Sequence, residues 1–275
     1  TLSRGYGRRT RGFRLADQNE TARTLGDEPL QLYKKFGSEV AVAVGEERAL
    51  AIPHILHERP EVNVVLLDDA YQHRTIQGHL SILLTEYNQP FYNDWLMPTG
   101  NLRETGFGAR RADIIVVTKC PDGVTDDDQE SMRRSIAEYA GAKPVFFSTI
   151  RYDEPVGFGA ASELKKDVVL VTGIARTAGL EAYVNNRFTI SKHFNFRDHH
   201  PFKTEEIRQI NEWAAKHHCS IITTEKDMVR LTEPDLRNEL KQAPWFYLPI
   251  QMTFLGKAGA NFDSLFLDKL KSVLN

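Results

Sequence analysis

Cysteine is nearly missing from this chain: Cys120 and Cys219 are the only 2 in 275 residues, far apart and in no C-x-x-C pair. That excludes a disulfide framework and a cysteine zinc cluster, and it points to a reducing compartment. No apolar run approaches the roughly 18 residues that a membrane-spanning helix needs. No signal-peptide pattern is visible. Neither sign of charge dominates, since 35 Lys and Arg against 37 Asp and Glu leave a net −2. No basic field therefore points to nucleic acid. Short internal repeats and low-complexity segments are absent. So is the phosphate-binding signature G-x-x-x-x-G-K-[ST]. The chain opens at Thr1 without Met, and Leu2-Ser3 reads as the end of a strand; the start of the protein is expected upstream.

What is present supports a real core. Hydrophobic residues make up 41% and charged residues 26%, as in ordinary soluble proteins of one large or two modest domains. The most informative stretch is Val62–Arg74, VNVVLLDDAYQHR. Its continuous apolar run predicts a central strand of a parallel sheet, buried on both faces. It ends in two acids, Asp68 and Asp69, followed by Gln72, His73 and Arg74. Ligand chemistry gathers at the carboxyl ends of such strands, and acids there commonly hold Mg²⁺ beside a nucleotide phosphate. The plainer alternative is that Asp68 caps a turn and Asp69 faces water.

Along the chain, Thr1–Phe13 interleaves glycines (Gly5, Gly7, Gly12) with Arg4, Arg8, Arg9 and Arg11, around Tyr6. Glycine lets backbone approach a ligand, and arginine forks suit phosphate; a solvated basic loop is the alternative. Leu30, Leu32, Tyr33 and Phe36 recur at helical spacing, with Pro29 in the first turn and Asp27 at the N-cap. Asp27 is either that cap or a general base at a helix start. Strands are predicted at Val40–Gly45, Leu80–Leu84, Ala112–Lys119, Pro144–Ile150, Asp167–Ala175, Phe188–Phe196, Ser220–Asp227 and Trp245–Phe254. Helices are predicted at Glu46–Arg59, Asp126–Ala140, Lys203–Cys219 and Asp263–Leu274. The alternation makes an α/β protein with a mainly parallel sheet flanked by helices. The best boundary is Asp153–Lys166, giving a domain at 1–152 and a second, smaller α/β domain at 153–275, whose last helix can pack back on the first. The long connection Tyr87–Ala112 carries Tyr92, Trp95, Leu96, Met97, Arg103 and Glu104; its aromatics form either an apolar rim or a minor core. In Phe196–Phe202, His199 beside Asp198 is a workable acid–base pair or a structural turn.

From the residues alone the reading stops at an incomplete phosphate-handling α/β protein. Two other classes fit parts of it. One is a non-catalytic binder of a phosphorylated ligand. The other is a GTPase-like regulator, for which TKCPD (Thr118–Asp122) and TEKD (Thr224–Asp227) are near-misses with the wrong spacing for N-K-x-D.

Eight motifs occur in order: LSRGYGR (Leu2–Arg8), GDEPL (Gly26–Leu30), LDDAYQHR (Leu67–Arg74), MPTGNLRE (Met97–Glu104), RADIIVVTK (Arg111–Lys119), TGIAR (Thr172–Arg176), FRDHH (Phe196–His200) and TTEKD (Thr223–Asp227). Together they resemble the tetraacyldisaccharide 4′-kinases of lipid A biosynthesis. The resemblance implies a P-loop NTPase-like fold and transfer of the ATP γ-phosphate to the 4′-hydroxyl of a tetraacyldisaccharide 1-phosphate. It also implies Mg²⁺ and a peripheral place at the cytoplasmic face of the Gram-negative inner membrane, as a monomer that binds no nucleic acid. Family members carry an apolar segment and a Walker-A loop ahead of LSRGYG, and this chain starts after both, so an N-terminally truncated form is expected, inactive alone; the alternative is a degenerate relative, a non-catalytic binder of the acylated phospho-sugar. By resemblance, Asp27 is the catalytic base, His199 its partner, and Asp68 and Asp69 the acids that hold Mg²⁺. Glu104 and Arg103 belong near metal and phosphates. Arg4, Tyr6, Arg48, Gln72 and His73 are candidates for the acceptor headgroup. The chain reads DDAYQHR where the family usually has DDGFQHR; the change at Ala70 and Tyr71 spares the acids.

Overall fold

The structure, a computed structural model, describes the chain apart from residues 74, 161, 162 and 275 and the side chains of 273 and 274. Arg74, which closes the DDAYQHR stretch, and part of the expected boundary loop thus lie outside the described residues. In chain order the elements are β1 (Leu2–Ser3), β2 (Arg14–Leu15), α1 (Ala22–Leu25), α2 (Asp27–Phe36), β3 (Ala43–Val44), α3 (Arg48–Glu58), β4 (Ile82–Glu86), β5 (Ile114–Thr118), α4 (Asp126–Ala140) and β6 (Val145–Tyr152). Then follow β7 (Val156–Gly157), β8 (Asp167–Thr172), α5 (Ala178–Arg187), β9 (Thr189–Asn195), α6 (Thr204–Lys216), β10 (Ser220–Thr224), α7 (Glu225–Leu231), α8 (Arg237–Leu240), β11 (Trp245–Leu248), β12 (Ile250–Phe254) and α9 (Ala258–Leu274).

Residues Thr1–Ala70 and Tyr152–Pro249 form one compact unit. Its larger sheet has the order β7-β11-β10-β8-β9. All its pairs are parallel except β7 with β11. Alternation along β8 explains why Val168–Val171 are all buried. Val169 and Val171 pack against Ile207, Ile210 and Ala214 of α6, while Val168 and Leu170 pack against Leu180 and Val184 of α5. A strand covered by a helix on each face must be apolar on both. The smaller sheet, β1-β3-β2, carries α2 and α3.

Residues Tyr71–Arg151 and Ile250–Asn275 form the second unit. Its sheet, β12-β6-β5-β4, is parallel through β4, β5 and β6. Met132, Ile136 and Ala140 of α4 cover one face of β5; Ala258, Phe262 and Leu265 of α9 cover the other. The last helix thus packs on strands β5 and β6.

Several expectations are corrected. The division is not 1–152 against 153–275, because residues 1–70 group with 152–249. The run Val62–Leu67 is not a doubly buried central strand. It is extended and, among the described residues, pairs with β1 through one parallel bridge at Leu2–Leu67, and Val64 and Leu66 are exposed. A partner two residues long cannot sustain a ladder, so Val62, Val65 and Leu67 pack inward and the alternate residues do not. Trp245–Phe254 is two strands in different units, broken at Pro249, which has no N–H for a ladder. Ser220–Asp227 stops being a strand at Thr224, whose hydroxyl accepts the Asp227 N–H and starts α7. In α3, Leu50 and Leu56 face solvent while Ala51 and Ile55 are buried.

Candidate active site

Asp27 is the first residue of α2; the N-cap is Gly26, not Asp27. Gly26 has φ +100°, and a Cβ there would lie 3.1 Å from the Tyr6 carbonyl oxygen. Only glycine allows this backbone-on-backbone approach of the LSRGYG loop to the helix start. Asp27 is 5% exposed. Its Oδ1 accepts the Glu28 backbone N–H at 3.0 Å, and its Oδ2 lies 2.8 Å from His199 Nδ1. Asp27 is therefore not the cap, and its two oxygens face different partners, a backbone N–H and an imidazole. Arg230 Nε stands 3.7 Å from the same Oδ2.

The loop after β9 delivers His199. Its φ is +55°, a region costly for most side chains and found where surroundings over-determine it. Here the His199 N–H is held by the Gly173 carbonyl at 3.1 Å and by Asp198 Oδ1 at 3.0 Å. Gly173, of the TGIAR motif, has no room for a side chain, because a Cβ would lie 3.0 Å from Asp227 Oδ1. The exposed Tyr6 ring meets the imidazole edge-on, with centroids 5.3 Å apart. On the far side of the ring, Lys226 Nζ lies 3.2 Å from Nε2 and 2.9 Å from Glu28 Oε1.

Asp227 is fully buried. It accepts from Gly173 N at 3.0 Å, from Thr224 Oγ1 at 2.7 Å, and from Arg230. Burial pushes its carboxyl above the ordinary value, with the Arg230 charge opposing. Lys226, Asp227 and Arg230 are not among the site residues that the sequence offers. The signal present is TTEKD, a T-x-x-D capping pattern at Thr224 that also reads as the polar end of a strand.

Asp68 and Asp69 follow the extended segment, and Asp69 has φ +43°. Arg48, 4% exposed, donates from Nη2 to the Asp68 carbonyl at 3.0 Å and the Asp69 carbonyl at 3.4 Å. It therefore braces the turn through backbone. Loss of hydration raises the Asp68 carboxyl above its usual value, and the charges of Glu28 and Asp69 push the same way. Arg4 and Tyr6 are exposed on the first loop. The buried Arg8 pins that loop by donating to Gly12 O at 2.7 Å and to Glu46 Oε1 at 2.6 Å.

The remaining candidates lie in the second unit. Glu104 is clasped by Arg111 through two contacts, 2.8 Å and 2.6 Å, and Gln72 Nε2 reaches it at 3.4 Å. His73 Nδ1 lies 2.9 Å from Thr75 Oγ1, and Arg103 is exposed. The connection around them is neither all rim nor all core. Phe91 and Tyr92 pack inward, whereas Trp95, Leu96, Met97 and Phe107 are exposed. Among the described residues, no group of three or more acids, histidines or cysteines forms a metal cage.

The family described as tetraacyldisaccharide-1-P 4′-kinase matches residues 1–271. This chain belongs to that family. Among tetraacyldisaccharide 4′-kinases, that of Flavobacterium johnsoniae is 40% identical over 280 residues, covering 100% of this chain and 78% of the relative. The kinase of Cytophaga hutchinsonii is 41% identical over 257 residues, 91% of this chain and 72% of the relative. That of Bacteroides thetaiotaomicron is 41% identical over 287 residues, 95% of this chain and 73% of the relative. The crystal structure of the "apo" form of LpxK from Aquifex aeolicus in complex with ATP has a TM-score of 0.68, at 23% identity over 98% of this chain and 78% of that one. At that identity the likeness establishes the fold of the tetraacyldisaccharide 4′-kinase family, α/β with mostly parallel sheets flanked by helices.

Proposed function

We propose that this chain performs its family's phosphotransfer with Asp27 and His199 as the centre that activates the acceptor. ATP is the phosphate donor and a tetraacyldisaccharide 1-phosphate the acceptor, a step of lipid A biosynthesis. The 4′-hydroxyl gives its proton to the Asp27 carboxylate as its oxygen forms a bond to the γ-phosphorus. The bond from that phosphorus to the β–γ bridging oxygen breaks, and its electron pair leaves with ADP. Such transfer depends on positioning and neutralisation of charge more than on covalent chemistry by the protein. The observation that carries this reading is the 2.8 Å Asp27–His199 contact. It joins GDEPL to FRDHH, 172 residues apart, at a buried acid whose Oδ2 the turn after β9 orients.

The residues fit Mg²⁺. It takes few protein ligands and keeps water and phosphate for the rest, and the Asp68 carboxyl, raised first by loss of hydration and then by the neighbouring charges of Glu28 and Asp69, stands at an anionic locus that a cation would relieve. Asp68 and Asp69 would hold the ion, which when bound supplies positive charge to the donor phosphates. Glu104 and Arg103 belong to the second unit, where Arg111 clasps Glu104. In the first unit Arg4 and Tyr6 are the candidates for the acceptor headgroup, while Arg48 braces the Asp68–Asp69 backbone; Gln72 and His73 are candidates carried by the second unit. Exposed Trp95, Leu96, Met97 and Phe107 offer apolar surface to acyl chains. No helix among the described residues is long and apolar enough to cross a membrane; we place the protein peripherally at the cytoplasmic face of the inner membrane, as a monomer.

The test is transfer of labelled γ-phosphate from ATP to a tetraacyldisaccharide 1-phosphate, run on the product of the gene's reading frame. Phosphorylated lipid, lost on Asp27→Ala, is expected. Lipid binding without turnover by a folded protein would overturn the reading.

A further inference from the structure

We propose that Lys226 is a positioning residue that sets the tautomer of His199, keeping the imidazole neutral with its proton on Nδ1, aimed at Asp27. The inference rests on the Asp27 reading above. Five groups surround the imidazole or its partner. Asp27 Oδ2 lies 2.8 Å from Nδ1. Lys226 Nζ lies 3.2 Å from Nε2, and Asp198 Oδ2 lies 3.8 Å from the same nitrogen. The Tyr6 ring covers one edge, and Arg230 Nε approaches Asp27 Oδ2 to 3.7 Å. An ammonium group has three donors and no acceptor. The nitrogen facing it must therefore accept, so it carries no proton. Nδ1 then bears the hydrogen of the neutral ring and donates it to Asp27. Asp198 competes for the other outcome, since a carboxylate near Nε2 favours a proton there. It is beyond hydrogen-bond reach, however, and Lys226 Nζ sits 3.9 Å from Asp198 Oδ1, offsetting its charge.

Glu28 holds the ammonium in place at 2.9 Å. Glu28 adjoins Asp27, and Lys226 stands in the first turn of α7, so the two helix starts present a closed chain of donors and acceptors: Glu28, Lys226, His199, Asp27. Removing the ammonium leaves His199 between two carboxylates, Asp27 and Asp198. The ring then takes a second proton and pairs with Asp27 as an imidazolium, which weakens Asp27 as a base.

The experiment is ¹⁵N NMR of the histidine ring in the full-length protein, beside pH–rate profiles, for wild type, Lys226→Met and Lys226→Arg. Wild type is expected to show a neutral, Nδ1-protonated His199 at neutral pH. Lys226→Met should show the doubly protonated ring. Its kcat should fall about tenfold with the KM for ATP little changed, and the acidic limb of its profile should move to higher pH. Lys226→Arg should restore the wild-type ring signature. A wild-type ring signature and an unmoved profile in Lys226→Met would overturn the proposal, whatever its melting temperature. The ring signature does not depend on turnover. If it changes as expected while Asp27→Ala keeps full activity, the tautomer assignment stands and the Asp27 reading falls.

Discussion

Two helix starts in the same unit carry an acid that reaches the same arginine, and they serve different ends. At the start of α7, Asp227 accepts from Gly173, Thr224 and Arg230 and is sealed from solvent. At the start of α2, Asp27 receives one backbone N–H and one imidazole. Arg230 approaches it only to 3.7 Å. A carboxylate bonded on every side is a joint of the structure. One held in place through a histidine, with acceptor capacity remaining, can take a proton from a substrate. Burial alone does not separate the two; the number and kind of donors do.

The comparison breaks most visibly at Asp27. Asp27→Asn should lower kcat by roughly 10²–10⁴-fold with a smaller change in the KM for ATP, and chemical denaturation should find most of the stability retained. Parallel losses of rate and stability would make Asp27 a joint like Asp227. Asp227→Ala should do the reverse at the structural level. It strands the buried Arg230 guanidinium, a change that typically costs about 3–5 kcal/mol, read as a lower denaturant midpoint. An unchanged midpoint would show that Arg230 finds another partner.

The smallest expected effect sharpens the contrast with the more exposed pair. The folded Asp68 carboxyl lies above its ordinary value. The folded state therefore binds that proton more tightly than the unfolded chain does. Its charge costs stability once the pH has risen past the raised value, and the cost disappears below the unfolded value near 3.9. Without added Mg²⁺, Asp68→Asn should thus melt no lower than wild type at neutral pH, with the difference gone near pH 3, while phosphate transfer is lost. A lower neutral-pH melting temperature would make Asp68 structural.

Legibility in the sequence followed how local the cause was. The limits of α4 were readable because Thr125, at its N-cap, and Gly141, just past its end, lie within a turn of it. β8 was readable because a strand with helices on both faces has to be apolar throughout. The run Val62–Leu67 has the same composition but lacks a long neighbour, and nothing in its own residues records that. Trp245–Phe254 reads as one strand for the same reason, although its halves belong to different sheets. At the site, the residues alone offer Asp27 as a cap or a base and His199 as a partner of Asp198; the pairing of Asp27 with His199 is an expectation of the motif resemblance. Lys226 was missed because TTEKD read as a strand end, and its meaning depends on a histidine 27 positions earlier.

By itself the sequence determined the α/β class, the family, the acids at 68 and 69 and the glycines that permit tight backbone approach. These follow from residue type, spacing and motif order. Tertiary structure alone decided which stretches pair, how the chain divides into units, and that Glu28, Lys226, His199 and Asp27 form one hydrogen-bonded chain. Hydrogen bonds reach about 3 Å, and only folding brings residues more than 170 positions apart within that range.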